Sequence, residues 1–107
     1  MSYLLTSEQS EKLLKNLSSE WSISDRYLKC IYKFKSFNIA VEFINQVASK
    51  CNEMNHHPKW INIYDTIEIE LYTHDENGLT MKDFELSNYM DKIYEKLSLE
   101  HNKQYHK

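Results

Sequence analysis

The stretch that most constrains the fold is the run Phe37 to Met54 together with what stops it. Phe37, Ala40, Val41, Ile44, Val47, Ala48, Cys51 and Met54 recur at steps of three and four, while Glu42, Asn45, Gln46, Ser49, Lys50 and Glu53 fill the opposite side. That is the pattern of a long amphipathic helix, with Ser36 placed to cap it. Pro58 disfavours helical dihedrals at His57, so the helix must be over by His56. Its apolar face needs a surface, and two strands follow at once, roughly Trp60 to Tyr64 and Thr66 to Thr73, with Asp65 at the turn. So short a connection forces antiparallel neighbours. In the second strand Ile67, Ile69, Leu71 and Thr73 share a face, and Glu68, Glu70, Tyr72 and His74 point the other way.

Upstream, Thr6 and Gln9 are spaced as a capping box for a first helix carrying Leu13, Leu14 and Leu17 and ending near Ser18. Trp21 to Ile23 reads as a brief strand before a turn at Asp25-Arg26. From Tyr27 to Phe34, Leu28, Cys30, Tyr32 and Phe34 alternate with residues that are mostly lysine. Downstream, Asp75-Glu76-Asn77-Gly78 is a polar loop, and Thr80 caps a last helix with Asp83 at its third position and Leu86, Met90, Ile93 and Leu97 on the buried stripe. The polar segment from Ser98 to Lys107 is expected to fray. The order α-β-β-α-β-β-α predicts a two-layer α+β sandwich, a four-stranded antiparallel sheet with three helices on one face. At 107 residues the chain suffices for one domain with one core.

Composition removes several classes of function. A formal charge of −3 gives no support to a basic nucleic-acid groove. No apolar run approaches the ~18 residues of a membrane span, and Met1 to Ser10 has no basic segment followed by an apolar core, so a cytoplasmic protein, with the nucleus also open to it, is expected. With one glycine, Gly78, and one proline, Pro58, the chain holds neither a Walker loop nor a G-x-G-x-x-G turn. Cys30 and Cys51 lack metal-type spacing and read as buried free thiols.

The densest cluster of titratable groups is Glu53-Met54-Asn55-His56-His57-Pro58-Lys59-Trp60. Adjacent residues diverge by ~100° on a helix and ~180° on a strand, so His56 and His57 converge on one pocket only if the backbone turns between them. His74 arrives from the end of the second hairpin strand. Imidazoles both take and give protons near neutral pH, which suits a reaction that moves one proton off a substrate and another on. The same histidines are also readable as solvated loop and strand-end residues. A zinc site fits less well, since adjacent histidines make awkward co-ligands and the helical i, i+4 spacing is missing. Trp60 could stack on a flat heterocycle or fill the core, and Asp83 could cap a helix or orient an imidazole. Strict alternation puts His74 opposite Ile67, Ile69 and Leu71, so a shared pocket must open at the rim or outer side of the sheet unless the strand ends first.

The sequence His56-His57-Pro58, then Tyr64, His74 and Asp83 at their intervals, together with Glu53 to Trp60 and Leu71-Tyr72-Thr73-His74, resembles the signature of the pterin-4a-carbinolamine dehydratases. The resemblance covers nearly the whole chain. It implies an enzyme that removes water from 4a-hydroxytetrahydropterin to give quinonoid dihydropterin, in tetrahydrobiopterin recycling, with no metal or organic cofactor. It implies a catalytic centre of His56, His57 and His74: His57 and His74 as acid and base nearest the hydroxyl, His56 as a binder or second proton handler. Trp60, Asp83 and Glu53 become the candidate substrate-binding residues, with Trp60 flanking the pterin and Asp83 fixing a histidine. Where the pattern usually carries a charged side chain, four residues before His56, this chain has Asn52, with the acid one place later at Glu53. The resemblance further implies a homo-oligomer, dimer or tetramer. The alternative is a non-catalytic interaction module of the same fold, serving as dimerisation cofactor of a transcription factor.

Overall fold

The computed structural model describes residues 3–104, with side chains described as far as residue 101. Three α-helices and four strands follow in the order α1 (Ser7–Leu14), β1 (Trp21–Ser24), β2 (Tyr27–Lys33), α2 (Phe37–Met54), β3 (Lys59–Ile63), β4 (Thr66–Leu71) and α3 (Met81–Gln104), with a 3-10 turn at His74–Glu76. The sheet is antiparallel throughout in the order β1-β2-β4-β3, and the helices cover one face, as the periodicities require.

Alternation decides what each face carries. Leu28, Cys30 and Tyr32 of β2 and Ile67, Ile69 and Leu71 of β4 point under the helices and are buried with Trp21, Phe43, Leu86, Met90 and Leu97. The registers Cys30↔Ile69 and Tyr32↔Ile67 stack these residues side by side. On the outer face the register sets Lys29 and Lys59 on either side of Glu70, and Ile31 and Ile61 on either side of Glu68. Ile31, Ile61 and Ile63 remain exposed.

Local signals set the element ends. Thr6 and Gln9 form the reciprocal capping box, and the Ser36 hydroxyl accepts from the Ile39 N–H at 3.2 Å. Besides α1, which ends at Leu14 rather than near Ser18, three features differ from the sequence expectation. First, the buried face of α2 is rotated from the expected one: Ala40, Val47 and Cys51 are buried as the periodicity requires, but Ile39 and Phe43 join them and Phe37 is exposed. Second, β4 stops at Leu71, because Thr73 leaves the ladder for a lone bridge to Gly78. Third, helical backbone continues past Ser98 to Gln104, with the His101 imidazole lying 3.9 Å from Glu42 on α2; the expectation for residues 105–107 lies outside the described residues.

A carboxylate ties α3 to the sheet. Asp91 Oδ1 accepts from Trp21 Nε1 at 2.9 Å, Tyr32 OH at 2.5 Å and Ser18 Oγ at 2.8 Å, and Oδ2 accepts from the Ser18 N–H at 2.8 Å. Burial beside this network pushes the Tyr32 hydroxyl far above the usual phenol range, and the neighbouring Cys30 thiol is driven up by the same loss of water and then by the Asp91 and Glu20 charges. The Cys51 thiol is raised by burial too. Thiolate is the reactive form. Both cysteines should therefore resist a soluble aromatic disulfide reagent at neutral pH in the folded protein and react on addition of denaturant; prompt labelling of either native thiol would contradict this packing.

Candidate active site

The site begins with the way α2 ends. Asn55 adopts the left-handed conformation at φ 53°, which asparagine tolerates better than most residues. Its N–H bonds to the Asn52 carbonyl at 3.2 Å and the His56 N–H to the Cys51 carbonyl at 3.0 Å, the two bonds of a Schellman C-cap. This turn separates the two imidazoles: His56 is buried and His57 exposed.

His56 meets Asp83, which reaches it from the first turn of α3. Nε2 of His56 lies 2.6 Å from Asp83 Oδ1, and Asp83 is wholly buried. The other carboxylate oxygen, Oδ2, accepts from Thr73 Oγ1 at 2.7 Å and from the Thr80 N–H at 3.0 Å. Because the Thr73 hydroxyl donates to Asp83, the Thr80 hydroxyl 2.8 Å away must donate to Thr73. Asp83 therefore caps α3 and orients an imidazole at once, one oxygen for each task. A carboxylate only accepts, so the His56 proton sits on Nε2 and Nδ1 is the nitrogen left to exchange protons.

His57 turns outward. Its Nε2 lies 3.1 Å from Asn52 Oδ1, an amide oxygen that can only accept, which again places the proton on Nε2. His57 and His74 line a common cleft of about 180 Å³ with Tyr27, Lys59, Glu70 and Tyr72. Lys59 and Glu70 stand on the outer face of the sheet, and the two imidazoles, just before β3 and just past β4, line the cleft beside them. His74 itself opens the 3-10 turn, whose loop is closed by reciprocal backbone bonds between Thr73 and Gly78 at 3.0 and 3.4 Å. Its ring stacks on Tyr72, with centroids 4.7 Å apart and planes at 25°.

The other sequence candidates lie elsewhere. His56 and Asp83 are not in the cleft wall; the turn at Asn55 directs them inward. Trp60, paired with Ile69 in register, is half-buried against the core, because Lys59 takes the outward position beside it. Glu53 is exposed and pairs with Lys50 at 3.6 Å. The expected Thr80 cap with Asp83 in the first turn is present, but sequence reasoning missed Thr73 as a partner of Asp83, and Tyr27, Tyr72, Lys59 and Glu70 as the cleft wall; the outward alternation of the strands was the available signal for the last four. A larger cleft of about 450 Å³ runs past Leu13, Lys50, Phe84 and Tyr89 but holds no imidazole. Among the described residues, no group of three or more His, Cys, Asp or Glu side chains is arranged to hold a metal ion.

Comparison with known proteins matches residues 3–93 to the family model described as pterin 4 alpha carbinolamine dehydratase. A Burkholderia pseudomallei protein whose name places it with the pterin-4-alpha-carbinolamine dehydratases is 38% identical over 94 residues, covering 87% of this chain and 93% of the relative. One from Burkholderia orbicola is 40% identical over 92 residues, covering 85% and 90%. A crystal structure of a transcriptional coactivator/pterin dehydratase from Brucella melitensis superimposes with a TM-score of 0.82 at 32% identity, over 85% of this chain and 98% of that one.

Removing the carboxylate that joins these elements strands a buried imidazole, a hydroxyl and a helix N–H together. Asp83→Ala should lower the unfolding free energy by about 2–4 kcal/mol, and Asp83→Asn, which keeps an acceptor, by less. Urea denaturation of the two variants measures both, and a loss under ~0.5 kcal/mol in the alanine variant would contradict the assigned network.

Proposed function

The chain belongs to the pterin 4 alpha carbinolamine dehydratase family, enzymes that remove water, and from that premise we propose that His57 and His74 are the acid and base acting on 4a-hydroxytetrahydropterin. The observation that carries the reading is that these two imidazoles, distant in sequence, line one cleft. Dehydration takes one proton from a ring nitrogen and delivers one to the departing 4a hydroxyl, leaving quinonoid dihydropterin and water. Two imidazoles in opposite protonation states perform both transfers, and no metal or organic cofactor enters the scheme.

His56 is buried on Asp83 and lies outside the cleft wall, so this reading keeps it as a second proton handler, its tautomer set by the carboxylate, and not as a binder of the ring. Asp83 acts through His56 rather than on the pterin. Trp60 and Glu53 lie outside the cleft wall, so this reading gives them no direct part. At about 180 Å³ the cleft falls below the usual ~300–1,000 Å³ of enclosing ligand pockets, which suits a flat bicyclic ring that keeps one edge in water. The reading places the enzyme in tetrahydrobiopterin recycling in the cytoplasm, with the nucleus open to it.

Association of copies into dimers or tetramers belongs to the same proposal and draws on the exposed Ile31, Ile61 and Ile63 of the outer face. A second reading, a protein-interaction module serving a transcription factor, draws on the naming of the Brucella neighbour as a transcriptional coactivator/pterin dehydratase.

Purified protein should accelerate carbinolamine dehydration without added metal, and alanine at His57 or His74 should reduce the rate on the order of a hundredfold. Stopped-flow absorbance on freshly generated carbinolamine measures it. Full activity in the His57→Ala, His74→Ala double variant would overturn the assignment; flat wild-type kinetics beside recovery of a protein partner would favour the interaction module.

A further inference from the structure

His74 has an exposed ring on a three-residue turn, a poor platform for a group that must meet a proton at a fixed distance. What holds it comes from its neighbours. The stacked Tyr72 ring supports one face of the imidazole, and Tyr27 presses on Tyr72 edge-on at 5.0 Å and 86°. The Tyr72 hydroxyl donates to Asn77 Oδ1 at 2.5 Å, and the same oxygen accepts from Arg26 Nη1 at 2.8 Å. Asn77 ends the turn that His74 begins: it stands at φ 56° and returns its N–H to the His74 carbonyl at 3.1 Å. One side chain thus joins the β1–β2 turn, the ring under His74 and the backbone that bears His74.

We propose that Asn77, with Arg26 and Tyr72, forms a clamp that positions the His74 imidazole, making Tyr72 and Asn77 positioning residues for the dehydration. Neither needs to touch substrate through its polar atoms. The Tyr72 hydroxyl is committed to Asn77, and the Asn77 oxygen already accepts two hydrogen bonds. The energetic logic is that of preorganisation: an imidazole free to swing about its side-chain torsions samples the reactive placement only part of the time, whereas a stacked and buttressed ring pays that entropy on folding.

The left-handed backbone at Asn77 supplies a clean test, because glycine adopts that conformation without strain while losing the side chain. In Asn77→Gly the loop should persist, but Tyr72 and Arg26 lose their common acceptor. Two readouts are expected. The His74 ring-proton resonances, shifted upfield by Tyr72 in the wild type, should move toward those of an unstacked histidine. The kcat should fall about tenfold while KM stays within about twofold, and Asn77→Asp, which restores the acceptor, should recover both. If Asn77→Gly disturbs folding, Tyr72→Phe removes the clamped hydroxyl with the ring and backbone kept, and must lower kcat in the same direction. Unchanged His74 resonances and unchanged kcat in a folded Asn77→Gly variant, or a change confined to KM, would overturn the clamp. The kinetic readout rests on the dehydratase reading and the resonance readout does not: an inactive wild type with a stacked His74 sinks the function alone, and an active one whose His74 ignores Asn77 sinks the clamp alone.

Discussion

A buried carboxylate with a different task for each oxygen holds the site together. Asp83 is out of contact with water and touches the end of α2 through His56, the end of β4 through Thr73 and the start of α3 through Thr80. An ionised group in that position is tolerable only because each oxygen is hydrogen-bonded and the helix N-terminus favours negative charge. The three elements cannot move independently without exposing an unpaired charge to a dry interior. The loop bearing His74 leaves from one of those elements and the segment bearing His57 from another, so the spacing of the two cleft histidines is inherited from the Asp83 junction.

Two adjacent imidazoles are divided by one backbone turn. Asn55 sends His56 inward to a charged partner and leaves His57 outward on a neutral amide, so chemically identical rings meet unlike surroundings. Beyond them the sheet sorts side chains by parity. The inner face is apolar and carries the core, while the outer face bears the Lys29–Glu70–Lys59 row, then the tyrosines, then the histidines of the cleft. The fold therefore presents its polar chemistry at one end of the face that the helices leave open, and the packing of the core does not compete with it.

Most of this was legible in the sequence. The capping signals at Thr6, Ser36 and Thr80 and the alternation in Tyr27–Lys33 and Thr66–Leu71 mark the element order, because each rests on neighbours within a few residues. The apolar stripe of α2 was legible for Ala40, Val47 and Cys51, with Ile44 and Met54 packed on the core, but its centre lies toward Ile39 and Phe43 and leaves Phe37 outside, because the exact rotation of a helix depends on contacts distant in the chain. The end of β4 was placed two residues late because Thr73 is released by its bonds to Asp83 and Gly78, which are long-range and loop-closing respectively. The pairing of Asp83 with an imidazole was anticipated in kind, whereas the parity argument for His74 lapses because β4 ends at Leu71 and His74 stands on the 3-10 turn. The roles of Thr73, Tyr72 and Asn77 were not visible, because they arise only where the 3-10 turn meets the sheet and the start of α3.

The central claim is that the cleft bearing His57 and His74, rather than any groove among the helices, receives the pterin ring. The most direct test is a titration of the isotopically labelled protein with a stable dihydropterin analogue, followed by amide and imidazole resonances. The account predicts that the largest changes fall on His57, His74, Tyr27 and Tyr72, and that the Leu13, Phe84 and Tyr89 groove is silent. Saturable changes centred on that groove, with the cleft histidines unmoved, would contradict it.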